Sequence, residues 1–554
     1  MVFPPVTLAD WRALVDRELA GKPFDKVLVH ETPEGIPVAP LATTLPAALP
    51  ALAPPTARFQ VCLRHEAGAS LDELEADVAD GTDALWLPLS IAALDRPALA
   101  GTFFVFDEGP EPPQAALARL LDGKHDGARF ALNLDPLARR DRASFDALPA
   151  ELSSLAGLAR HVDERFAGST SLMISSLPHH DAGADAADEL AAVLATGVRY
   201  LEALREGGLS IAEAARQIAL QVAVGRDTFT ELCKLRALRI VWQKLLAASG
   251  ASGAPRARVH AVSSTRTLTV RDPWVNMLRV TTQVFAAVLG GADLVTPAAF
   301  DQEFGSPSAL GRRVARNTGL VLREESGLGL VHDPAGGSYH FETLTDALAR
   351  EGWRRFQAIE REGGIVAALT SGRLAARYAA AWAKREKQIA TRRLPILGVS
   401  EFANLDETLP RPVPPAQATH GGLPVHRDAD AFEALRARAE ARSPAALLVT
   451  LGSFAESRAR VGFASSFLAA GGIRSRETTA DERADIACLC GPDEVYATEA
   501  AARARALKAA GCRRVLLAGR PGALEPALRE AGVDGFIYVG CDAVETLGQL
   551  LETA

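Results

Sequence analysis

From residue 57 onward, short apolar runs alternate with longer segments whose apolar positions recur at helical spacing. The short runs are residues 59–63, 84–89, 102–106, 130–134, 171–175, 218–222, 259–262 and 293–295. Strands covered on both faces read as continuous apolar runs, so these eight predict a parallel sheet. The sixth run can equally be read as helix. Helical periodicity is clear at 187–206, 229–248 and 273–289. In the last, Pro273 falls at the first helical position after Asp272 as N-cap. Eight strand-then-helix units favour a closed (β/α)8 barrel over residues 56–391, with a helical cap from residue 342 onward.

Residues 392–430 carry Pro395, Pro410, Pro412, Pro414, Pro415 and Pro424 with Gly421 and Gly422, which marks a linker. Residues 431–554 then repeat the strand–helix rhythm in a smaller unit. A helix over 429–441 opens it. Strands are predicted at 445–451, 473–478, 486–489, 515–518 and 535–539, with helices at 457–470, 494–510, 523–531 and 544–552. That pattern predicts an open, doubly wound sheet whose ligands would bind at the carboxyl ends of the strands.

Residues 1–55 read as an extended N-terminal arm. A helix over 8–19 starts after Thr7, a good N-cap. Residues 36–57 then run 22 positions without a charge, long enough to cross a bilayer. Six of them are proline, and each interior proline costs a helix about 3 kcal/mol. The run is therefore expected to be extended and to pack on the next domain or wrap a partner, not to span a membrane.

Composition narrows the function. The 554 residues are 48% hydrophobic and 23% charged, ordinary for a globular chain with ample core. The net charge of −8 argues against nucleic acid as a partner. The N-terminus lacks the cationic and apolar regions of a signal peptide. Six cysteines without CxxC spacing point to reduced thiols and a cytoplasmic protein, with no zinc site or disulfide framework.

Four motifs carry the chemistry. Arg271-Asp-Pro-Trp-Val-Asn-Met-Leu-Arg279 is followed by Arg312-Arg-Val-Ala-Arg-Asn-Thr-Gly319, then Glu324-Glu-Ser326, then His332-Asp-Pro-Ala-Gly-Gly-Ser-Tyr339. With Thr32-Pro-Glu-Gly-Ile36 and Pro40-Leu41 in the arm, they resemble the methylmalonyl-CoA mutase family along nearly the whole chain. The resemblance implies a TIM barrel that binds CoA esters, followed by a flavodoxin-like, cobalamin-binding-type domain. On residue chemistry alone, 333–339 reads as a turn in which Gly336 and Gly337 supply positive φ, ahead of the alternative of direct ligand contact. Arg312, Arg313 and Arg316 could meet CoA phosphates, and of these Arg312 and Arg316 lie together on a helix. Sharing a helix face, they read more simply as a solvated cationic stripe.

The chain departs from the family where the family's chemistry is done. Active members carry Asp-x-His-x-x-Gly after the first strand of the last domain, and that histidine ligates cobalt. Here Gly452-Ser-Phe-Ala-Glu-Ser-Arg-Ala459 puts Phe454, Glu456 and Ala459 at those positions. Residues 431–554 contain no histidine. Glu456, a hard carboxylate, suits a helix N-terminus better than cobalt. In the barrel, the family's Ser-Gly-Tyr-His-Met-Gln-Glu-Ala-Gly-Ala becomes Ser175-Ser-Leu-Pro-His-His-Asp-Ala-Gly-Ala184. Leu177 replaces the tyrosine and Pro178 the catalytic histidine. His179 or His180 could serve only if the loop shifted by one residue, and as neighbours they lack metal-ligand spacing. Further on, Asp293, Thr296 and Ala298 replace a glutamine, a histidine and an asparagine.

The framework is kept while the ligands are lost, a pattern that resembles the small, non-catalytic subunit of heterodimeric bacterial members. The 531–542 segment resembles that subunit type as well. The resemblance implies no catalytic, cofactor-binding or metal-binding residue in this chain. It implies a large catalytic partner subunit that holds adenosylcobalamin and converts methylmalonyl-CoA to succinyl-CoA. This chain would then be part of an isomerase and support the partner's assembly. The alternatives are a self-sufficient acyl-CoA mutase that binds cobalamin in a non-standard way, or an unrelated barrel lyase. The lyase lacks any positioned acid–base pair in the sequence.

Overall fold

The computed structural model describes residues 6–46, 49–50, 52–55, 57–107, 118, 123, 125, 127–138, 142–414 and 419–553. Residues 1–5, read above for a signal peptide, and Pro415 of the linker lie outside them. All eight apolar runs of the first domain are strands: β1 Gln60–Arg64, β2 Ala84–Pro88, β3 Phe103–Asp107, β4 Arg129–Leu132, β5 Leu172–Ser175, β6 Ile218–Val224, β7 Val259–Ser263 and β8 Leu294–Thr296. The ambiguous sixth run is a strand buried along its whole length. The strands pair in parallel in the order β4-β3-β2-β1-β8-β7-β6-β5. The ring closes at Thr170, whose carbonyl accepts from Leu132 N and whose N–H donates to Phe130 O, both at 2.9 Å. Leu85, Phe104 and Phe130 point outward onto helices, and Trp86, Phe103 and Val105 point into the barrel.

Aspartate side chains start two of the long barrel helices. Asp227 caps α3 (Thr228–Ala248), as Asp185 caps α2 (Ala186–Glu206). The proposed cap on α4 (Val275–Leu289) does not form. Asp272 sits at φ +47°, in the left-handed region, and its N–H donates to Glu407 at 2.7 Å. Pro273 and Trp274 make a turn, and the helix starts two residues later than the proline suggests. Then come α5 (Ala309–Leu320), α6 (Tyr339–Arg361) and α7 (Arg373–Ala390). α2 and α6 cross closely because Gly352 leaves no side chain: a Cβ there would fall 2.8 Å from Leu190 Cβ.

The last domain starts with α8 (Asp430–Arg442), then β9 (Ala445–Thr450), α9 (Phe454–Ala470), β10 (Arg474–Thr478), β11 (Ile486–Cys490), β12 (Arg514–Ala518) and β13 (Gly535–Ile537). All strand pairs are parallel, in the order β10-β9-β11-β12-β13. This 2-1-3-4-5 order is the flavodoxin-like doubly wound arrangement, with its switch point between β9 and β11. The helix predicted over 494–510 contains a π-turn at Tyr496–Ala500. There the Tyr496 hydroxyl accepts from Gly491 N and donates to Ala518 O, each at 2.8 Å, tying the loops after β11 and β12 together.

The arm divides into two parts. α1 (Leu8–Leu19) begins at Thr7 with a capping box and has no buried residue. From residue 30 the chain instead lies on its own barrel. Glu34 Oε1 accepts from Ala186 N at 2.9 Å, and the Leu52 carbonyl accepts from His332 Nε2 at 2.8 Å. The described part of the uncharged run is extended, as its prolines require. Among the described residues no helix is long and apolar enough to cross a membrane.

Candidate functional site

A cavity of about 680 Å³ opens at the carboxyl ends of β1, β6, β7 and β8, where barrels of this kind carry their active sites. Leu177, Val262, Thr296 and Ala298 line its wall. The linker turns back over it, contributing Pro414, His420, Val425 and Arg427. Its charged rim is internally paired. Arg427 stands 3.3 Å from Glu303, and His420 Nδ1 meets Asp181 at 3.0 Å. Burial raises the Glu303 carboxyl to about 7 despite the opposing pull of Arg427.

The residues aligned with the family's catalytic loop lie beside this cavity in the five-residue helix Leu177–Asp181. Pro178 is buried within it. Both histidines are buried and neither lines the cavity, although Ser264, which His180 meets, does. His179 Nδ1 contacts the Tyr378 hydroxyl at 3.1 Å, and burial lowers its pKa to about 4. His180 is held at both nitrogens, by Glu189 at 2.8 Å and the Ser264 hydroxyl at 2.7 Å. Glu189 also binds Lys234 at 3.1 Å, and Lys234 reaches Glu231 at 2.6 Å. Burial works against the Glu189 carboxylate, but Lys234 and His180 hold it at about 2. Burial and the nearby Arg266 lower the His180 pKa. With Lys234 already neutralising Glu189, His180 is neutral: Nδ1–H donates to Glu189 and Nε2 accepts from Ser264.

Below the mouth the barrel axis is filled. Cys62, Trp86, Phe103, Met173 and Leu294 all point inward and are at most 2% exposed. A chain of polar groups crosses the interior among them. Ser175 donates to Gln221 at 2.9 Å, the Gln221 amide donates to His260 Nδ1 at 3.2 Å, and His260 Nε2 lies 2.7 Å from the Thr296 hydroxyl. Burial, then the nearby Arg258, bring the His260 pKa to about 3, so the ring is neutral. Gln221 and His260 escaped the sequence reading. Their signal is a polar residue at an inward position of an apolar strand.

Other predicted positions have different partners. Asp293 sits at the amino end of β8, away from the mouth, where it pairs with Arg239 at 2.9 Å and with Arg256. Arg312 and Arg316 do not form a solvated stripe. Arg312 meets Glu73 at 2.9 Å, and Arg316 meets Asp77 at 2.7 Å and Asp80 at 2.9 Å. Residues 333–339 do turn, but positive φ falls at Asp333 (+42°) and Gly337 (+81°), not at Gly336. Gly336 is needed for space, since a Cβ there would lie 2.8 Å from the Asp333 carboxylate, which binds Arg236.

In the last domain, the loop after β9 turns at Gly452 (φ +75°). Ser453 then caps α9. Its side chain accepts from Glu456 N, and Glu456 Oε2 accepts from Ser453 N at 3.0 Å and from its hydroxyl at 2.5 Å. Glu456 is thus committed to the helix start, and these hydrogen bonds lower its pKa.

Comparison with known proteins agrees with this architecture. The family model described as methylmalonyl-CoA mutase matches residues 139–474. The methylmalonyl-CoA mutase small subunit of Streptomyces virginiae is 39% identical, covering 99% of this chain and 97% of its own length. A probable methylmalonyl-CoA mutase small subunit of Mycobacterium bovis is 41% identical over 79% of this chain and 72% of its own. The methylmalonyl-CoA mutase large subunit of Streptomyces virginiae is 35% identical over 42% of this chain and 32% of its own.

Proposed function

Because the chain belongs to the methylmalonyl-CoA mutase family of isomerases, we propose that it is the non-catalytic small subunit of a two-subunit, adenosylcobalamin-dependent methylmalonyl-CoA mutase. In this reading it pairs with a large catalytic subunit in the cytoplasm and supports that subunit's assembly and stability. The large subunit converts methylmalonyl-CoA to succinyl-CoA. The observation that carries the reading is the loop at the family's catalytic position. Pro178 stands there, and the two histidines beside it are buried against Glu189, Ser264 and Tyr378 and do not line the cavity.

The family uses cobalamin, and the residues here do not fit it. The loop after β9 offers Phe454 and a capped Glu456 where an imidazole is needed, and residues 431–554 contain no histidine. A hard carboxylate already consumed by two hydrogen bonds is a poor axial ligand. No catalytic, cofactor or metal role is therefore assigned to this chain, and the cofactor is placed in the partner.

The test is to purify the chain alone and together with its organism's large-subunit homologue, then measure bound corrinoid and mutase turnover. The expected result is no corrinoid and no turnover from the isolated chain, with both present in the co-purified pair. A corrinoid-loaded, active isolated chain would mean a self-sufficient mutase and overturn the reading.

A further inference from the structure

Barrel helices normally turn charged and polar residues to solvent. α4 does not. Its 15 residues include a single charged side chain, Arg279. That guanidinium folds back to Asn276 Oδ1 at 2.7 Å, Thr269 Oγ1 at 3.0 Å and the Leu397 carbonyl at 2.7 Å. What the helix presents outward is Leu278, Phe285 and one polar residue, Thr282, whose hydroxyl is turned back to the Arg279 carbonyl at 2.9 Å. Trp274 stands just before its first turn, and the three large apolar side chains Leu278, Phe285 and Trp274 are 68%, 36% and 53% exposed.

The neighbouring loop extends this face. Arg279 binds Leu397, and Gly398 packs so tightly on Asp272 that a Cβ would fall 2.6 Å from the aspartate Cβ. The same loop carries Leu397 at 53% and Phe402 at 80% exposure. Five large apolar side chains are thus exposed on α4 and on the loop that Arg279 ties to it, and the charged Glu401 beside Phe402 is paired with Arg392. A large aromatic carries about 150–250 Å² of surface, so the five expose on the order of 500 Å². That is in the range of the largest patches tolerated on monomers and a major part of the roughly 800 Å² each partner contributes to a stable interface.

We infer that this face, α4 with the 397–402 loop, is the surface on which the large mutase subunit docks. The inference rests on the two-subunit reading and adds where the partner binds. The occupant follows from area and kinship. The patch is largely apolar, with its two charges, Arg279 and Glu401, each held by its own chain, as the core of a permanent interface requires, and a transient partner would not need so much apolar surface. A large-subunit relative aligns with this chain over 42% of its length, so the two chains are homologous and can pair through equivalent faces about a pseudo-two-fold axis.

The experiment uses the full chain, co-expressed with the organism's tagged large-subunit homologue. Leu278→Glu and Phe402→Glu change exposed side chains, and Phe454→Glu, at 69% exposure on the other domain, is the control. Circular dichroism and the melting temperature establish that each variant folds as wild type does. The expected result is capture of wild type and Phe454→Glu, with Leu278→Glu and Phe402→Glu bound about tenfold or more weakly. Full-strength capture of both face variants overturns this docking site while leaving the two-subunit reading intact. Failure of wild-type capture overturns the reading itself. A wild-type homodimer that Leu278→Glu converts to monomer, with capture unchanged, would assign the face to a second copy and also overturn the proposal.

Discussion

Arg271, in the loop after β7, grips Glu440 of α8 with both terminal nitrogens, at 2.5 and 2.8 Å, and so fastens the last domain to the barrel. Two helical turns earlier along α8, the buried Glu433 accepts from Val270 N at 2.7 Å and binds Arg427 at 2.5 Å. The barrel loop, the linker and the last domain therefore meet on one carboxylate. Glu433→Ala removes it, leaving the Val270 N–H without its acceptor and Arg427 with only Glu303 and Asp430. The expected cost is about 2 kcal/mol. Calorimetry should show the domains melting separately, and protease should cut within 392–430 before either domain is digested. A single unchanged transition would mean that Glu433 does not couple them.

Lys234 is fully buried between Glu189 and Glu231 and also donates to the Ala223 carbonyl at 2.9 Å. Lys234→Met leaves two buried carboxylates facing each other without a cation, at an expected cost of about 3–5 kcal/mol. The pH dependence should reverse as well. In wild type, Glu189 is held at about 2, below its ordinary 4.5. Its stabilising share is present above 4.5 and lost as pH falls toward 2. In the variant, burial without Lys234 raises the carboxyl, and a raised acid loses stability as pH rises through its folded value. Urea midpoints should then fall from pH 5 to pH 7 in the variant, with Glu189 contributing no such fall in wild type.

The histidines inside the barrel give a second acid signature. His260 is brought to about 3 and His179 to about 4, against an ordinary 6.5. For each, folding favours the neutral ring, so the unfolded chain binds more protons below 6.5. Stability contributed by that preference is full above 6.5 and lost as pH falls toward the folded values. His260→Gln retains hydrogen-bonding capacity without a titrating ring. The variant should show a shallower loss of urea midpoint between pH 6.5 and 4 than wild type. An unchanged slope would remove His260 from the acid response.

What the sequence revealed followed from the range of each signal. The strands were legible because buried parallel strands show as apolar runs, and even β6 keeps every residue covered. The helix after β9 was legible, but its expected start at 457 is three residues late: Ser453 followed three residues later by Glu456 is a capping box that starts it at Phe454, and that local pattern explains the residue at the position aligned with a cobalt ligand. Asp272 misled because proline after aspartate looks like a helix start, whereas its left-handed φ is imposed by Glu407 and Gly398, far along the chain. Arg316 to Asp77 spans 239 residues and His180 to Ser264 spans 84, so neither pairing leaves a local trace.

The arm yields the last expectation. The arm, residues 1–55, is expected from its sequence to pack on the next domain or wrap a partner, and from residue 30 onward its described part packs on the barrel. Glu34 is buried and engages both Ala186 N and, through its carbonyl, Arg355, whereas α1 buries no residue. Removing residues 1–28 should leave the melting temperature of the isolated chain within about 2 °C of wild type, since exposed segments contribute little to stability. Removing 1–55 should lower it clearly, because Ala186 N at the start of α2 loses its acceptor and the barrel loses a covered surface. If α1 is the free end that reaches a partner, the shorter deletion should still weaken capture of the large-subunit homologue. Thermal melts and capture measured on the same two truncations separate the roles: equal melting of both would deny the arm its place on the barrel, and unweakened capture by the shorter one would deny α1 a partner.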